Sequence, residues 1–516
     1  MNDFSAPRSV PIPPRRPAPP PGLPALPPEA VRQVLQGEVT GVDEALLQRL
    51  RGACDEVSVD TADRVDAGRD WWPLGMVWAS TGRVLRLPAV VVRPGSVEEV
   101  AAVLAICHES GTPVTATGGR SGVLGNTLPV FGGVSLDCTR LSGIVDLRED
   151  DLTVDVLAGT YCDALEAQCQ AAGYTVGHWP QSIALATVGG AIACRGAGQL
   201  SSRYGTMADL TRGLTVVLAD GRVVRTSEFS HSATGPDLTQ LFVGSEGTLG
   251  VITSARLQLH PRPAGQLKAA FSFPSFDAGV DAVRRFTRRG AAPAVVRLYD
   301  EVESRRNFDT RDRHVLLLLD EGEPALLAPR WQAMLDECGG EPLGPELVDG
   351  WLGHRNNVRS IEGLIVDRAP DTMEITAPWS RVAAIYHATT AAIAAVDGAR
   401  TATAHISHVY PYGAGLYFMF GGRPEVDDRP GWYRRVWDVA ARTVLAHGGN
   451  LSHHHGIGLG RGRFMREALG SGFEVLAGLK QALDPKGILN PGKMGLDSPY
   501  GAPPDWPDQA PAAPRG

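Results

Sequence analysis

Leu451-Ser452-His453-His454-His455-Gly456-Ile457-Gly458 puts three consecutive imidazoles on a glycine-bounded loop. A neutral imidazole near pH 7 is suited to passing protons. Three neighbours cannot all aim at one atom, so one or two would face a reacting group while the third supports the loop. A metal site is the rival chemistry, but adjacent ligands rarely close on one ion, and no matching Cys or Asp cluster accompanies them. A plain surface histidine run is the other alternative. Three glycine-rich stretches form the second feature. They are Thr117–Gly122, then Thr187-Val188-Gly189-Gly190-Ala191 extended by Arg195-Gly196-Ala197-Gly198, then Gly244-Ser245-Glu246-Gly247-Thr248-Leu249-Gly250-Val251-Ile252. Glycine permits positive φ and close approach of backbone N–H groups, which can cradle a pyrophosphate. None of the three reads as a dinucleotide fingerprint opening a helix after a first strand, and none is a lysine-bearing phosphate loop. Ordinary turns would explain one such stretch, less readily three in one region.

The elements that must position these loops are legible. Ala89–Val92 reads as a short strand ended by Arg93-Pro94-Gly95. Ser96, with Glu99 three residues on, forms a capping box for a helix whose buried face is Val97, Val100, Leu104 and Cys107, closed by Gly111. Val114 to Ala116 begins the next strand, and a helix is expected from Tyr161 to Ala172. Asp220-Gly221 between Leu214–Leu218 and Arg222–Arg225 signals a hairpin. Val251 to His260 alternates as a strand. From Ala264 the texture changes to charged helices, such as Val280–Arg289, alternating with strands such as His314–Leu319 and Leu416–Phe420. Alternation sends Leu416 and Phe418 to one strand face and Tyr417 to the other. The expected divisions are a Pro-rich disordered leader (1–35), an N-terminal helical segment (36–86) and the glycine-loop domain (87–263). A second α+β domain (264–446), the histidine loop with a helical segment (447–495) and a disordered tail (496–516) follow.

The chain has 516 residues, 49 basic and 57 acidic, for a net charge of −8, which offers no footprint for nucleic acid. Hydrophobic residues make up 43%, enough for sizeable cores. No stretch is long and apolar enough to span a membrane, and no signal peptide is evident. The seven cysteines are scattered without CxxC, which fits a reduced, cytoplasmic protein. The first 28 residues hold 11 of the 39 prolines, an unpacked leader by composition.

The glycine stretches, in this order and spacing, resemble the FAD-binding domain of the vanillyl-alcohol oxidase (PCMH-type) flavoenzymes, from about Pro88 to Gly492. Within that family the chain is most like the alkyldihydroxyacetonephosphate synthases. That likeness rests on Gly177-His178 with Ser182 and Thr187–Gly190, on Ala233-Thr234-Gly235-Pro236-Asp237, where alanine replaces the usual serine, on Gly244–Thr253, and on the triple-histidine loop. The resemblance implies an α+β fold, with two small subdomains holding FAD, a cap domain built on an antiparallel sheet and a C-terminal helical segment. It implies FAD contacts at Thr115, Ala116, Thr117, Gly118, Gly119, Arg120 and Ser121. Further contacts are implied at Gln181, Ser182, Ile183, Ala184, Leu185, Ala186 and Thr187, and at Cys194, Arg195, Gly196 and Ala197. The last set is Glu246, Gly247, Thr248, Leu249, Gly250, Val251 and Ile252. Where many relatives attach FAD through a histidine, this chain has Arg120, so FAD is expected to be non-covalent. A thiolate adduct at Cys194 is the lesser alternative to a packed thiol. Tyr417 matches the family's catalytic tyrosine, and His453, His454 and His455 its catalytic loop. Arg359 and Arg297 match substrate-binding arginines, with Arg355 a competitor for the first. His408 lies in the same strand region, where a core histidine is the default. A homodimer is a family-level expectation, and peripheral membrane contact would suit a lipid substrate, though no clear amphipathic anchor is evident.

The implied reaction is exchange of the acyl chain of acyl-dihydroxyacetone phosphate for a fatty alcohol through a flavin N5 adduct, as in ether-lipid synthesis. The alternative is an FAD-dependent dehydrogenase or oxidase of a D-2-hydroxy acid or alcohol. The triple histidine favours the first; Arg368-Ala369-Pro370, which breaks an expected helix, departs from it. A non-enzymatic flavin-binding scaffold is the third reading, opposed by the joint presence of Tyr417 and the histidine loop.

Overall fold

Val90–Val92 runs parallel to Val134–Asp137, which runs parallel to Val114–Thr117; Val57–Ser58 joins antiparallel at the other edge. The protein is described by a computed structural model over residues 8–36, 39–226, 229, 231–358, 368–425 and 428–502. The helix Val97–Ser110 covers this sheet. Ser96 Oγ accepts from Glu99 N, while Glu99 reaches Gly95 N instead of closing the box on Ser96. Gly111 ends the helix at φ 67°, a left-handed turn that favours glycine. Val100, Val103, Leu104 and Cys107 are buried; Val97, expected among them, is half-buried.

The second subdomain is a five-stranded antiparallel sheet ordered Val223–Arg225, Thr211–Val217, Val251–Gln258, Thr153–Leu157, Ile144–Arg148. The Asp220-Gly221 hairpin joins its first two strands, pairing Val217 with Val223. The cap is a seven-stranded antiparallel sheet ordered Glu341–Leu343, Gly265–Phe273, His314–Gly322, Val295–Tyr299, Ala399–Tyr410, Gly413–Gly422, Asp371–Pro378. Helices Phe276–Arg288, Pro324–Cys338, Val382–Ala394 and Arg429–Ala446 cover one face. There Phe286, Leu298, Leu316, Ile375, Leu416, Phe418 and Val436 are wholly buried. On the opposite face Val295, Leu317 and Leu319 pack on Leu200 and Tyr204 of the glycine-loop domain. This is the expected α+β class, and its cap holds the large antiparallel sheet.

The outer segments of the described residues, from Arg8 and up to Tyr500, fold back onto the body. Val114 N donates to Ile488 O (2.8 Å) and Asn490 N to Val114 O (2.8 Å), covering the open edge of the parallel sheet. The leader is not the unpacked segment its prolines predict. Val10 bridges Ile144, Ile12 is buried, and Arg15 lies 4.1 Å over the Tyr161 ring while pairing with Asp163. Arg16 binds Glu56 and Asp63, and Arg69 donates to the carbonyls of Pro20 and Pro21. Proline removes donors but keeps its carbonyl, so a rigid extended segment can be fixed by arginines. The tail is likewise packed as far as Tyr500, whose hydroxyl donates to Gly111 O. No helix among the described residues is long and apolar enough to cross a membrane.

Candidate active site

Antiparallel register sets one rank of side chains across four adjacent strands of the cap: Tyr299 opposite His405, His405 opposite Tyr417, Tyr417 opposite Glu374. Tyr417 therefore leaves the hydrophobic face, as alternation required, and its ring stacks on His405 at 5.1 Å and 18°. Its hydroxyl donates to Thr372 Oγ1 (3.1 Å). Burial pushes this phenol up to about 12, outweighing that hydrogen bond, so it keeps its proton at neutral pH and is poised as a donor.

Glu374 organises the histidine loop. Its Oε1 accepts from Ser452 Oγ (2.8 Å) and from the backbone N–H of His453, His454 and His455 (3.2, 3.0 and 2.7 Å). Oε2 pairs with His455 Nδ1 (3.0 Å) and with the fully buried Arg461. Burial alone would raise this carboxyl; Arg461 and His455 instead hold it well below the usual carboxylate range. A second buried carboxylate holds the far end of the loop: Glu246 accepts from Ile457 N, Gly458 N and Asn126 Nδ2. The loop is thus pinned between cap and glycine-loop domain, one carboxylate from each.

The three histidines diverge. His455 is the support, bound to Glu374. His454 stacks over Tyr417 at 6.2 Å and 27°. His453 bonds Tyr410 Oη through Nε2 (2.6 Å) and His454 Nδ1 through its own Nδ1 (2.7 Å). His408, a core residue by expectation, is buried but belongs here: its ring lies 4.5 Å from that of His453. His408, His453 and His454 bring ring nitrogens within 4.8 Å of one another. Yet both nitrogens of His408 are engaged, with Gly198 O and Ser407 Oγ, as are both of His453. The arrangement is a hydrogen-bonded imidazole network. Burial depresses His453 to about 3 and His454 well below the ordinary value, so both rings are neutral at pH 7.

Arg297 lies beside this rank. It donates to Tyr299 Oη (2.7 Å) and meets His405 Nε2 (2.6 Å), whose Nδ1 faces Glu303 (3.1 Å). It has no carboxylate partner among the described residues, so the ordinary salt-bridge role does not apply. Arg355 stacks 5.0 Å from Trp179 and 5.9 Å from Trp351, and Arg297 lies 5.4 Å from the same Trp351. Two guanidinium groups flanking one indole, with no carboxylate partner among the described residues, suit an anionic substrate group. Arg359 falls outside the described residues.

The glycine stretches converge on one another. Thr115, Ala116 and Thr117 end the strand Val114–Thr117, and Gly118 to Ser121 turn away from it. Gly119 N approaches Thr187 Oγ1 (3.4 Å), at the start of the helix Val188–Ala193. Cys194, Arg195, Gly196 and Ala197 follow that helix. Glu246 N donates to Ala193 O (2.9 Å), and a Cβ on Gly247 would lie 3.6 Å from that of Ala116. Gln181 Nε2 reaches instead to Asn357 O in the cap. Ile183, Ala186, Leu249 and Ile252 send their side chains into the core of the second subdomain and Val251 into that of the first, leaving backbone for any ligand. Glu246, among the expected FAD contacts, has its polar atoms engaged within the protein: its carboxylate serves the histidine loop, its N–H donates to Ala193 O, and its carbonyl accepts from Asn490 Nδ2. The residues otherwise fit FAD. Arg120, at φ 56° beside two glycines, is buried with Nε unpartnered, as is Tyr161 Oη. A bare guanidinium in an anion-cradling loop suits a pyrophosphate.

Sequence reasoning left Glu374, Arg461, Tyr410, His405 and Glu303 without roles. Only Glu374 carried a signal, since Glu374-Ile375-Thr376-Ala377-Pro378-Trp379 resembles a stretch of the synthases.

Residues 88–227 match a family model described as an FAD binding domain, and 262–494 match the C-terminal domain of FAD linked oxidases. The chain is 28% identical over 435 residues to the uncharacterized FAD-linked oxidoreductase YgcU of Escherichia coli K12, covering 80% of this chain and 89% of that protein. It is 27% identical over 523 residues to alkyldihydroxyacetonephosphate synthase of Trypanosoma brucei brucei (92% and 82%). Against a probable mitochondrial D-lactate dehydrogenase of Danio rerio it is 29% identical over 456 residues (85% and 88%). A solved alkyldihydroxyacetonephosphate synthase superposes with a TM-score of 0.76 at 22% identity, covering 91% and 89% of the two chains. For p-cresol methylhydroxylase the values are 0.71, 17%, 89% and 99%. With both halves of the family pattern present around the converging glycine loops, the chain belongs to the FAD-linked oxidases with a PCMH-type FAD-binding domain and is an FAD-dependent enzyme.

Proposed function

We propose that this enzyme exchanges the acyl chain of an acyl-dihydroxyacetone phosphate for a fatty alcohol. The observation that carries the reading is the pinned triple-histidine loop, with neutral His454 stacked on protonated Tyr417, beside two arginines that lack carboxylate partners among the described residues. Arg297 and Arg355 hold the phosphate. Tyr417 Oη and His454 Nε2 exchange protons with the leaving carboxylate and the entering alcohol. FAD, held by Arg120 and the glycine-loop backbone, supplies an electron sink when bound. Adding acyl-dihydroxyacetone phosphate to the anaerobic holoenzyme is expected to bleach the oxidised flavin band near ~450 nm and release free fatty acid. An unchanged band overturns the reading. The kinship with a D-lactate dehydrogenase supports a second reading, oxidation of a D-2-hydroxy acid with its carboxylate on the same arginines; D-lactate then reduces the flavin without releasing an acid.

Two expectations attach to this site. Tyr417→Phe loses about 10²–10⁴-fold in turnover while the flavin spectrum stays unchanged, because only a proton-transfer group is removed. FAD is non-covalent: Arg120 offers no nucleophile, and burial, then Glu246 and Asp70, push the Cys194 thiol far up. Acid precipitation should leave the yellow colour in the supernatant; colour in the pellet refutes this.

A further inference from the structure

His453 and His454 present a chemical difficulty. Both rings are neutral, so neither can act as an imidazolium acid. Their neighbours offer another route. Tyr410 Oη lies 2.6 Å from His453 Nε2, and His453 Nδ1 lies 2.7 Å from His454 Nδ1. Among the described hydrogen bonds His454 Nε2 has no partner, and its ring lies over Tyr417. Tyr410 is half-buried and stacks on Tyr412, which is 79% exposed at the hairpin tip. One hydrogen-bonded line therefore runs from half-buried Tyr410 through His453 to His454, whose ring lies over the catalytic phenol.

We propose that Tyr410, His453 and His454 form a proton wire between solvent and the active site. The heavy-atom positions admit two settings. In the donor setting Tyr410 donates to His453 Nε2, His453 Nδ1–H donates to His454 Nδ1, and His454 Nε2 carries a proton toward the substrate. When the His454 Nε2–H bond breaks toward a substrate oxygen, His454 Nδ1 takes the proton of His453. His453 Nε2 takes that of Tyr410, and Tyr410 is reprotonated from solvent. One proton passes from water to substrate, no electron moves, and no imidazolium forms. The acceptor setting is the same line shifted back, with His454 Nε2 bare and able to take a proton from an alcohol. Tyr410 touches no substrate and acts through His453 as a positioning and relay residue. A metal held by one nitrogen each of His408, His453 and His454 would break this line at His453.

The wire rests on the reading of His454 as the proton-transfer group, and two measurements keep the questions apart. The first uses FAD-loaded protein labelled with ¹⁵N-histidine and needs no substrate. A nitrogen–nitrogen coupling across the His453 Nδ1–His454 Nδ1 bond is expected, with both rings averaging between tautomers. Tyr410→Phe should freeze each ring in one tautomer while Tm and flavin absorbance hold. Absent coupling, or unchanged averaging in Tyr410→Phe, overturns the wire. The second uses acyl-dihydroxyacetone phosphate in mixtures of H₂O and D₂O. A curved proton inventory in the wild type, becoming linear in Tyr410→Phe with kcat about 10²-fold lower and KM unchanged, supports the wire. An identical inventory in both proteins overturns it. If this substrate is not turned over, the proposed reaction fails and the spectroscopic result alone decides the wire.

Discussion

Glu374→Ala is expected to cost roughly 3–5 kcal/mol of stability and to abolish activity, because it leaves a buried cation without its partner. Arg461 is fully buried, and its guanidinium pairs with this carboxylate and stacks 5.2 Å from the Trp437 ring. The same substitution strips acceptors from three consecutive backbone N–H groups. The histidine loop would lose the end of its frame that faces Tyr417. Denaturant titration of the FAD-loaded protein measures the cost; a midpoint within error of the wild type would refute it. The pH dependence has a definite sign. The folded carboxyl lies well below its ordinary value of 4.5, so its contribution is complete above that value and fades as pH falls through the lowered one. The deficit of the variant should therefore be largest at neutral pH and shrink on acidification. Glu374→Gln keeps the shape but not the charge and should fall between the two.

Gly119→Ala should yield a colourless protein. A Cβ at this position would lie 1.8 Å from the Leu185 carbonyl oxygen, a backbone atom that cannot rotate aside. Leu185 belongs to the stretch that begins at Gln181, so relief of the clash drives apart two of the loops that converge on Arg120. FAD affinity is read by adding cofactor to apoprotein and following flavin fluorescence. Gly190→Ala is the control, since its Cβ would meet only Thr187 Oγ1 at 3.2 Å. Equal affinity in the Gly119 variant and the wild type would show that these loops do not hold FAD.

Much of this site was legible because its parts are local. The glycine stretches, the histidine triplet and the alternation around Tyr417 each announce themselves within about eight residues. What organises them is not local. Glu374 and Arg461 lie 87 positions apart, and each in isolation is an ordinary charged residue of a strand or a glycine-rich turn. His408 looked like a core histidine and is one by burial, but its ring borders the catalytic network because the cap sheet turns that end toward the glycine-loop domain. The leader misled for a different reason. Composition reports the missing proline donors and says nothing of Arg15, Arg16 and Arg69, which tie an extended chain down by its carbonyls and its own charges.

The return of segment 488–490 to Val114 also bears on how the enzyme is made. The strand that opens the first glycine loop is synthesised well before the segment 488–490 that covers its edge. At about 5–20 residues per second, the nascent loop waits on the order of 20–75 s for that partner. During this interval the unsealed edge is open to pairing with other chains.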